Sequence, residues 1–312
     1  MSNAEMQASA LVIARDTLLE TWKGRHPSLD PIDALLVATV TQANLEPATS
    51  SLENQLEYSA LDRTVPDASR RPISISRLAD SMDLRFETVR RRVNRLKGLG
   101  VFTTEPSGIV VPEQYFLTSH GKAAVQASDD LTERTYWRLV SINYFTGDPL
   151  PPPALRPAQH PYRAVSRLML SFSLRMLAEF KFIGGDYLNL LLLMQLQQLN
   201  TMHLGDQRKS TPGIEQSVSF IDDERRVPVS IATLSRASGI PFETTRRRLR
   251  DLTERGVCYT GEHGYIIPSA VIDDFAKSAG PNRMNFIRLY RSCALVGAIE
   301  SWEARMEVRS AS

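Results

Sequence analysis

Cysteine is nearly missing from this chain, whose 312 residues include only Cys258 and Cys293. A disulfide framework is therefore excluded, and a reducing cytoplasm is the expected setting. Surplus charge is missing too: 37 Lys and Arg stand against 35 Asp and Glu, a net +2. The protein is not polybasic throughout, so any attraction to a polyanion must come from local patches. No apolar run is long. The longest, Leu188 to Leu199, is interrupted by Asn189, Gln195, Gln197 and Gln198, whereas a membrane span needs about 20 apolar residues. It reads as a buried or dimer-forming helix, and no membrane partner is expected. No basic stretch followed by an apolar core opens the chain, so no signal peptide is expected.

Motifs of catalysis and metal binding are also lacking. His26, His120, His160, His203 and His263 form no His-x-x-x-His pair, and none lies beside a Cys-x-x-Cys, so neither a metal nor a cofactor is expected. There is no Gly-x-Ser-x-Gly, Walker or His-Glu-x-x-His pattern, and Gly184-Gly185-Asp186 reads as a helix start. The chain is read as a binding protein and not an enzyme.

What is there is a repeat. Phe86-Glu87-Thr88-Val89-Arg90-Arg91-Arg92-Val93 returns as Phe242-Glu243-Thr244-Thr245-Arg246-Arg247-Arg248-Leu249, an offset of 156 residues from Phe86 to Phe242. At that offset Gly100-Val101 matches Gly256-Val257, and Gly108 to Pro112 matches Gly264 to Pro268. Upstream the match is weaker and is read at an offset of 153, aligning Asp33 to Gln42 with Asp186 to Gln195. Six prolines among the thirteen residues 149–161 make a stiff connector. The expected organisation is a first copy at 1–148, the linker at 149–161 and a second copy at 162–312.

Within copy one, Asp30 and Pro31 mark a helix start, and Leu35, Leu36, Val37 and Val40 give that helix an apolar side. The polar stretch from Glu46 to Arg70 is long for a connection and is expected to be partly mobile. Pro72-Ile73 is a short strand candidate. Ser74 caps a helix carrying Ile75, Leu78, Ala79 and Met82 on one face. A tight turn follows at Asp83, or Gly239 in copy two, residue types that tolerate the left-handed conformation. In the next helix, at about 100° per residue, Phe86, Val89, Val93 and Leu96 share the buried face. Glu87, Thr88, Arg91, Asn94 and Arg95 face outward, flanked by Arg90 and Arg92. Gly100 ends the helix, and turn residues between two short apolar runs predict a β-hairpin.

This order predicts a mainly α protein with small β-hairpin wings, built as two tandem winged helix-turn-helix domains. The segments Ile75 to Pro112 and Ile231 to Pro268 resemble the winged-helix DNA-binding domains of bacterial transcription regulators, such as the MarR-like and GntR-like groups. The resemblance implies that the helix from Phe86 enters the major groove of double-stranded DNA and that the hairpin touches neighbouring backbone. Local charge agrees. From Arg85 to Lys97 there are six basic residues and one acid; from Pro241 to Thr253, four and two.

Arg91 is the foremost base-reading candidate, since guanidinium can bind guanine O6 and N7 together. Thr88 and Asn94 are base or phosphate candidates. Arg90 and Arg92 suit phosphates, and Arg85 and Arg95 complete the DNA-binding set of this copy. The second-copy set is Thr244, Arg246, Arg247, Arg248 and Arg250. Glu87 and Glu243 favour the first helical turn and can also orient an arginine. The expected function is sequence-specific DNA binding by a transcription regulator. A plasmid-type replication initiator and a tandem winged-helix protein-interaction module are the alternatives. A homodimer is a further expected partnership, because the flanking helices either complete each core or form an interface.

Overall fold

The computed structural model describes residues 3–23, 29–204, 221–278 and 280–311; His26 lies outside them. The protein is mainly helical, with two small antiparallel hairpins. In chain order the elements are α1 (Asn3–Lys23), α2 (Pro31–Leu45), α3 (Leu52–Glu57), α4 (Ile75–Met82), α5 (Phe86–Gly98), β1 (Thr103–Glu105), β2 (Gly108–Val110), α6 (Glu113–Leu117), α7 (Ser119–Ser141), α8 (Tyr162–Gly184) and α9 (Tyr187–Thr201). There follow α10 (Ile231–Ser238), α11 (Phe242–Glu254), β3 (Tyr259–Gly261), β4 (Gly264–Ile266), α12 (Ser269–Ser278), α13 (Gly280–Leu295) and α14 (Ala298–Ala311). None of the described helices is long and apolar enough to cross a membrane.

The chain divides into two compact units. One comprises Gly24–Arg134, Asp148–Leu174 and Ile287–Ser312; the other comprises Met1–Lys23, Thr135–Gly147 and Arg175–Phe286. These units do not coincide with the sequence copies: each draws segments from both sides of residues 149–161.

In the unit that holds α5, the Asp30 carboxylate accepts from the amides of Ile32 and Asp33, each at 2.9 Å, and opens α2. Ser74 caps α4 by accepting from Arg77 N at 3.2 Å. Helix α4 stops at Asp83, whose φ is +52°. Helix α5 buries Val89, Val93 and Leu96, and Gly100 follows it with φ +71°. Strands β1 and β2 pair in the register Thr103 to Val110 and Glu105 to Gly108. The strand expected at Pro72-Ile73 is a single bridge, Ile73 to Ile109. Gly108 is required beside it, because a Cβ there would lie 2.4 Å from the Ile73 carbonyl oxygen. Asn44 ties α2 to this edge. Its amide donates to the carbonyls of Arg71 (2.8 Å) and Ile109 (3.3 Å) and accepts from Val111 N (2.9 Å).

The unit that holds α11 repeats these contacts at an offset of 156. Asp186 caps α9 through Asn189 N at 2.9 Å. Ser230 caps α10 through Thr233 N at 3.1 Å, and Gly239 ends α10 at φ +69°. Asn200 donates to the carbonyls of Val227 and Tyr265 and accepts from Ile267 N. Val229 bridges to Tyr265. Leu192, Leu196, Leu234, Leu249 and Leu252 are fully buried, in the places that Leu36, Val40, Leu78, Val93 and Leu96 fill in the other unit. Each such side chain contributes roughly 1.5–3 kcal/mol of burial. Thr245 takes the place of Val89, and its hydroxyl donates to the Ile240 carbonyl at 3.2 Å. Helix α1 packs against α9 and α12 in this unit.

Three expectations are corrected. The upstream repeat runs at 156, not 153: the capping carboxylates equate Asp30 with Asp186, and the backbone ties equate Asn44 with Asn200. Phe86 is not on the buried face; it is 50% exposed, and Phe242 is 46% exposed, because each opens its helix beyond the packed stripe. The stretch from Glu46 to Arg70 is ordered, with α3 and short 3-10 turns. Two arginines of α8 hold it: Arg163 donates to Leu61 O and Arg167 to Gln55 O and Tyr58 O. The connector from 149 to 161 is tied to its surroundings through Ala154 and His160. Ala154 N donates to Leu295 O, and His160 reaches Ser301 and Asp129.

Candidate functional site

Helix α5 exists because Val89, Val93 and Leu96 recur at helical spacing and drive one face into the core. The positions between them are left outside. Arg91 is exposed, with no hydrogen bond or ion pair among the described residues. Arg247 stands at the equivalent place on α11, equally exposed and equally without such a partner. Arg85 and Lys97 share that condition on α5, and Asn94 is exposed near them. Thr88 and Thr244 are half-buried at equivalent positions.

The other arginines are engaged. Arg90 grips Glu87 through Nε (2.9 Å) and Nη2 (2.8 Å). Arg246 grips Glu243 in the same way, at 3.0 and 2.7 Å. Both pairs are exposed, so they orient the guanidinium without contributing much stability. The hydrogen bond from Arg90 holds the Glu87 carboxyl below its usual range. The two glutamates thus orient arginines, one of the roles open to them in the sequence. Arg250 lies 3.9 Å from Glu254, a loose contact.

Arg92 and Arg248 do not face solvent as the phosphate assignment requires. Arg92 Nη1 donates to Asp30 (2.7 Å) and Asp33 (2.6 Å). Arg248 Nη1 donates to Asp186 (2.6 Å) and to the Asn189 amide oxygen (2.8 Å). Arg95 also pairs with Asp33, which is 0% exposed. Burial and the nearby Asp30 carboxylate raise the Asp33 pKa against the opposing pull of Arg92 and Arg95. These three arginines fasten the helices from the side.

Two clefts adjoin the free arginines. One, of about 320 Å³, is lined by Asp30, Thr88, Arg91, Arg92 and Arg95. The other, of about 510 Å³, lies between α11 and its hairpin, with Thr244, Arg247, Arg250, Thr260 and Tyr265 on its walls. Thr260 and Tyr265 were not singled out in the sequence; only their place in the hairpin brings them here. A cationic helix beside a hairpin cleft can receive a polyanion chain and offer guanidinium forks to it.

Elsewhere, Ser301 Oγ, His160 and Asp129 form a hydrogen-bonded chain at 2.8 and 2.7 Å. Asp129, fully buried, also accepts from Trp302 and Arg305, and Arg305 reaches Glu133. Asp129, Asp130 and Glu133 lie close enough to hold a cation, but Arg305 already pairs with two of them. The set ties α7, the connector and α14 together. Cys258 and Cys293 are buried, and burial pushes both thiols up, away from the reactive thiolate.

No protein-family model matches the chain, and comparison with curated proteins and with solved structures gives no significant match.

Proposed function

We propose that this chain binds double-stranded DNA as a tandem winged helix-turn-helix protein and acts as a transcription regulator. In this reading α5 and α11 are the recognition helices, one chain reads two half-sites, and the hairpins are wings. The observation that carries the reading is the matched pair Arg91 and Arg247: two guanidinium groups at equivalent exposed positions, each without a side-chain hydrogen bond or ion pair among the described residues. An internal ion pair would have made them part of a solvated, self-satisfied face. Left open, each can donate to guanine O6 and N7 in the major groove. Thr88, Asn94 and Thr244 are the accompanying base or phosphate contacts. Arg85, Lys97, Arg90, Arg246 and Arg250 supply phosphate contacts. Arg92, Arg95 and Arg248 act one step back, by setting the angle at which each helix is presented.

The test is selection of preferred duplexes from a random pool, followed by anisotropy titration at several salt concentrations. Arg91→Ala is expected to cost about 1–3 kcal/mol and to relax one base position. Arg85→Ala should weaken all sequences alike and reduce the salt slope by about 1. A homodimer would protect four half-sites instead of two. Absence of binding with no salt response would refute the reading and favour the protein-interaction module. Selected sites that occur as reiterated arrays would favour the replication initiator over the regulator.

A further inference from the structure

Helices α5 and α11 each open on a phenylalanine that the core leaves half uncovered. Phe86 is 50% exposed and Phe242 46% exposed. The stripe that seats each helix lies further along, at Val89, Val93 and Leu96 or at Thr245, Leu249 and Leu252. Each phenylalanine is the only large apolar side chain exposed on its helix. One exposed apolar residue is ordinary on a protein surface and needs no explanation. Here the same ring stands at the same place in both copies, while outward positions further along differ: Asn94 and Arg95 of α5 correspond to Arg250 and Asp251 of α11.

The rings sit in the first helical turn, beside exposed Glu87 or Glu243 and half-buried Thr88 or Thr244. When such a helix enters a major groove, its N-terminal residues meet the base edges. The apolar group that those edges offer is the C5 methyl of thymine. A half-exposed ring gains by covering it, since both apolar surfaces then leave water. The guanidinium groups of Arg91 and Arg247 follow their rings at the same spacing in the two copies. That spacing corresponds to about 7.5 Å of helix, and stacked base pairs rise by about 3.4 Å each. An apolar contact and a guanidinium fork on one helix therefore reach neighbouring base pairs.

We infer that Phe86 and Phe242 are thymine readers, each ring covering the C5 methyl of a thymine within about three base pairs of the guanine taken by Arg91 or Arg247. The inference rests on the DNA reading above and adds a second specified base to each half-site. The probe is a duplex from the selected pool in which one thymine at a time is replaced by uracil. The replacement removes the methyl group and leaves base pairing intact. Anisotropy titration of the full chain should show binding weakened about fourfold by one such replacement in each half-site, the effect of burying one methyl group. Phe86→Ala should erase the methyl effect in one half-site and Phe242→Ala in the other, whereas Phe86→Leu, still apolar, should keep it. Because both rings are half exposed, the thermal midpoints of these variants should stay near that of the parent chain. Selected half-sites with no thymine in that window, equal binding of thymine and uracil duplexes at every position, or a methyl effect undiminished in both alanine variants would each overturn the proposal and leave the DNA reading standing. A chain that binds no duplex at all would overturn both.

Discussion

In the first copy, Arg92 lies between two carboxylates, Asp30 and Asp33, and Arg95 shares the second. In the second copy, Arg248 lies between the Asp186 carboxylate and the Asn189 amide, and Asp251 stands where Arg95 does. There Asn189 donates to Asp251 at 3.4 Å. One geometry is thus kept while its charges are exchanged: acid and base become amide and acid. The exchange changes how the arginine count should be read. Much of the extra positive charge on α5 is spent inside the protein, on Asp33, while α11 has a carboxylate at the same place. The outward guanidinium groups, Arg91 and Arg247, are common to both.

That comparison can be broken most directly at the anchoring arginines. Arg92→Ala leaves the buried Asp33 carboxylate short of its main partner, and the expected loss is about 3 kcal/mol. Arg248→Ala leaves a neutral amide and a partly exposed carboxylate, with an expected loss of about 1 kcal/mol. Urea midpoints of the two variants decide the matter; equal losses would mean that the charge exchange has no energetic meaning.

A smaller difference is expected at the turns. Gly239 has φ +69° and open space around an added Cβ, so Gly239→Ala should cost about 1 kcal/mol through conformation alone. Asp83 already meets that strain at φ +52°, and Asp83→Gly should relieve it by under about 1 kcal/mol. Thermal midpoints measure both, and a stabilised Gly239→Ala chain would contradict the assignment.

The smallest effect concerns pH. The Asp33 pKa is raised in the folded chain, so the folded state holds this proton more tightly than the unfolded state, where the value is near 4. Its contribution is complete below about pH 4 and is lost as pH rises through the folded value. Asp33→Asn, which copies Asn189, should flatten that decline and change stability at neutral pH by less than about 1 kcal/mol. Urea titrations of the two chains at matched pH values give the difference, and a variant whose stability falls with pH as steeply as the parent's would refute it.

Local chemistry was readable in the sequence. Asp30, Ser74 and Ser230 cap helices, Asp83 and Gly239 turn left-handed, and Arg91 and Arg247 face outward. What stayed hidden was pairing over distance. Arg92 looked available because its partners lie 62 and 59 residues upstream. The stretch from Glu46 to Arg70 looked loose because Arg163 and Arg167, which order it, are roughly a hundred residues further on. The upstream repeat slipped by three residues because a shift near one helical turn leaves an apolar face almost in phase. Phe86 shares the angular position of the buried stripe, but no neighbour extends far enough to cover it.

The interleaved make-up of the two compact units has a consequence for anyone cutting the gene. A fragment ending at residue 148 would carry α2 to α6 without the start of α8 or the residues after 287 that belong to the same unit. The complementary fragment would keep α9 to α12 and lose α1. Severed halves should therefore be poor folders singly and recover when mixed. A one-copy version of this chain could complete its body only by trading helices with a twin.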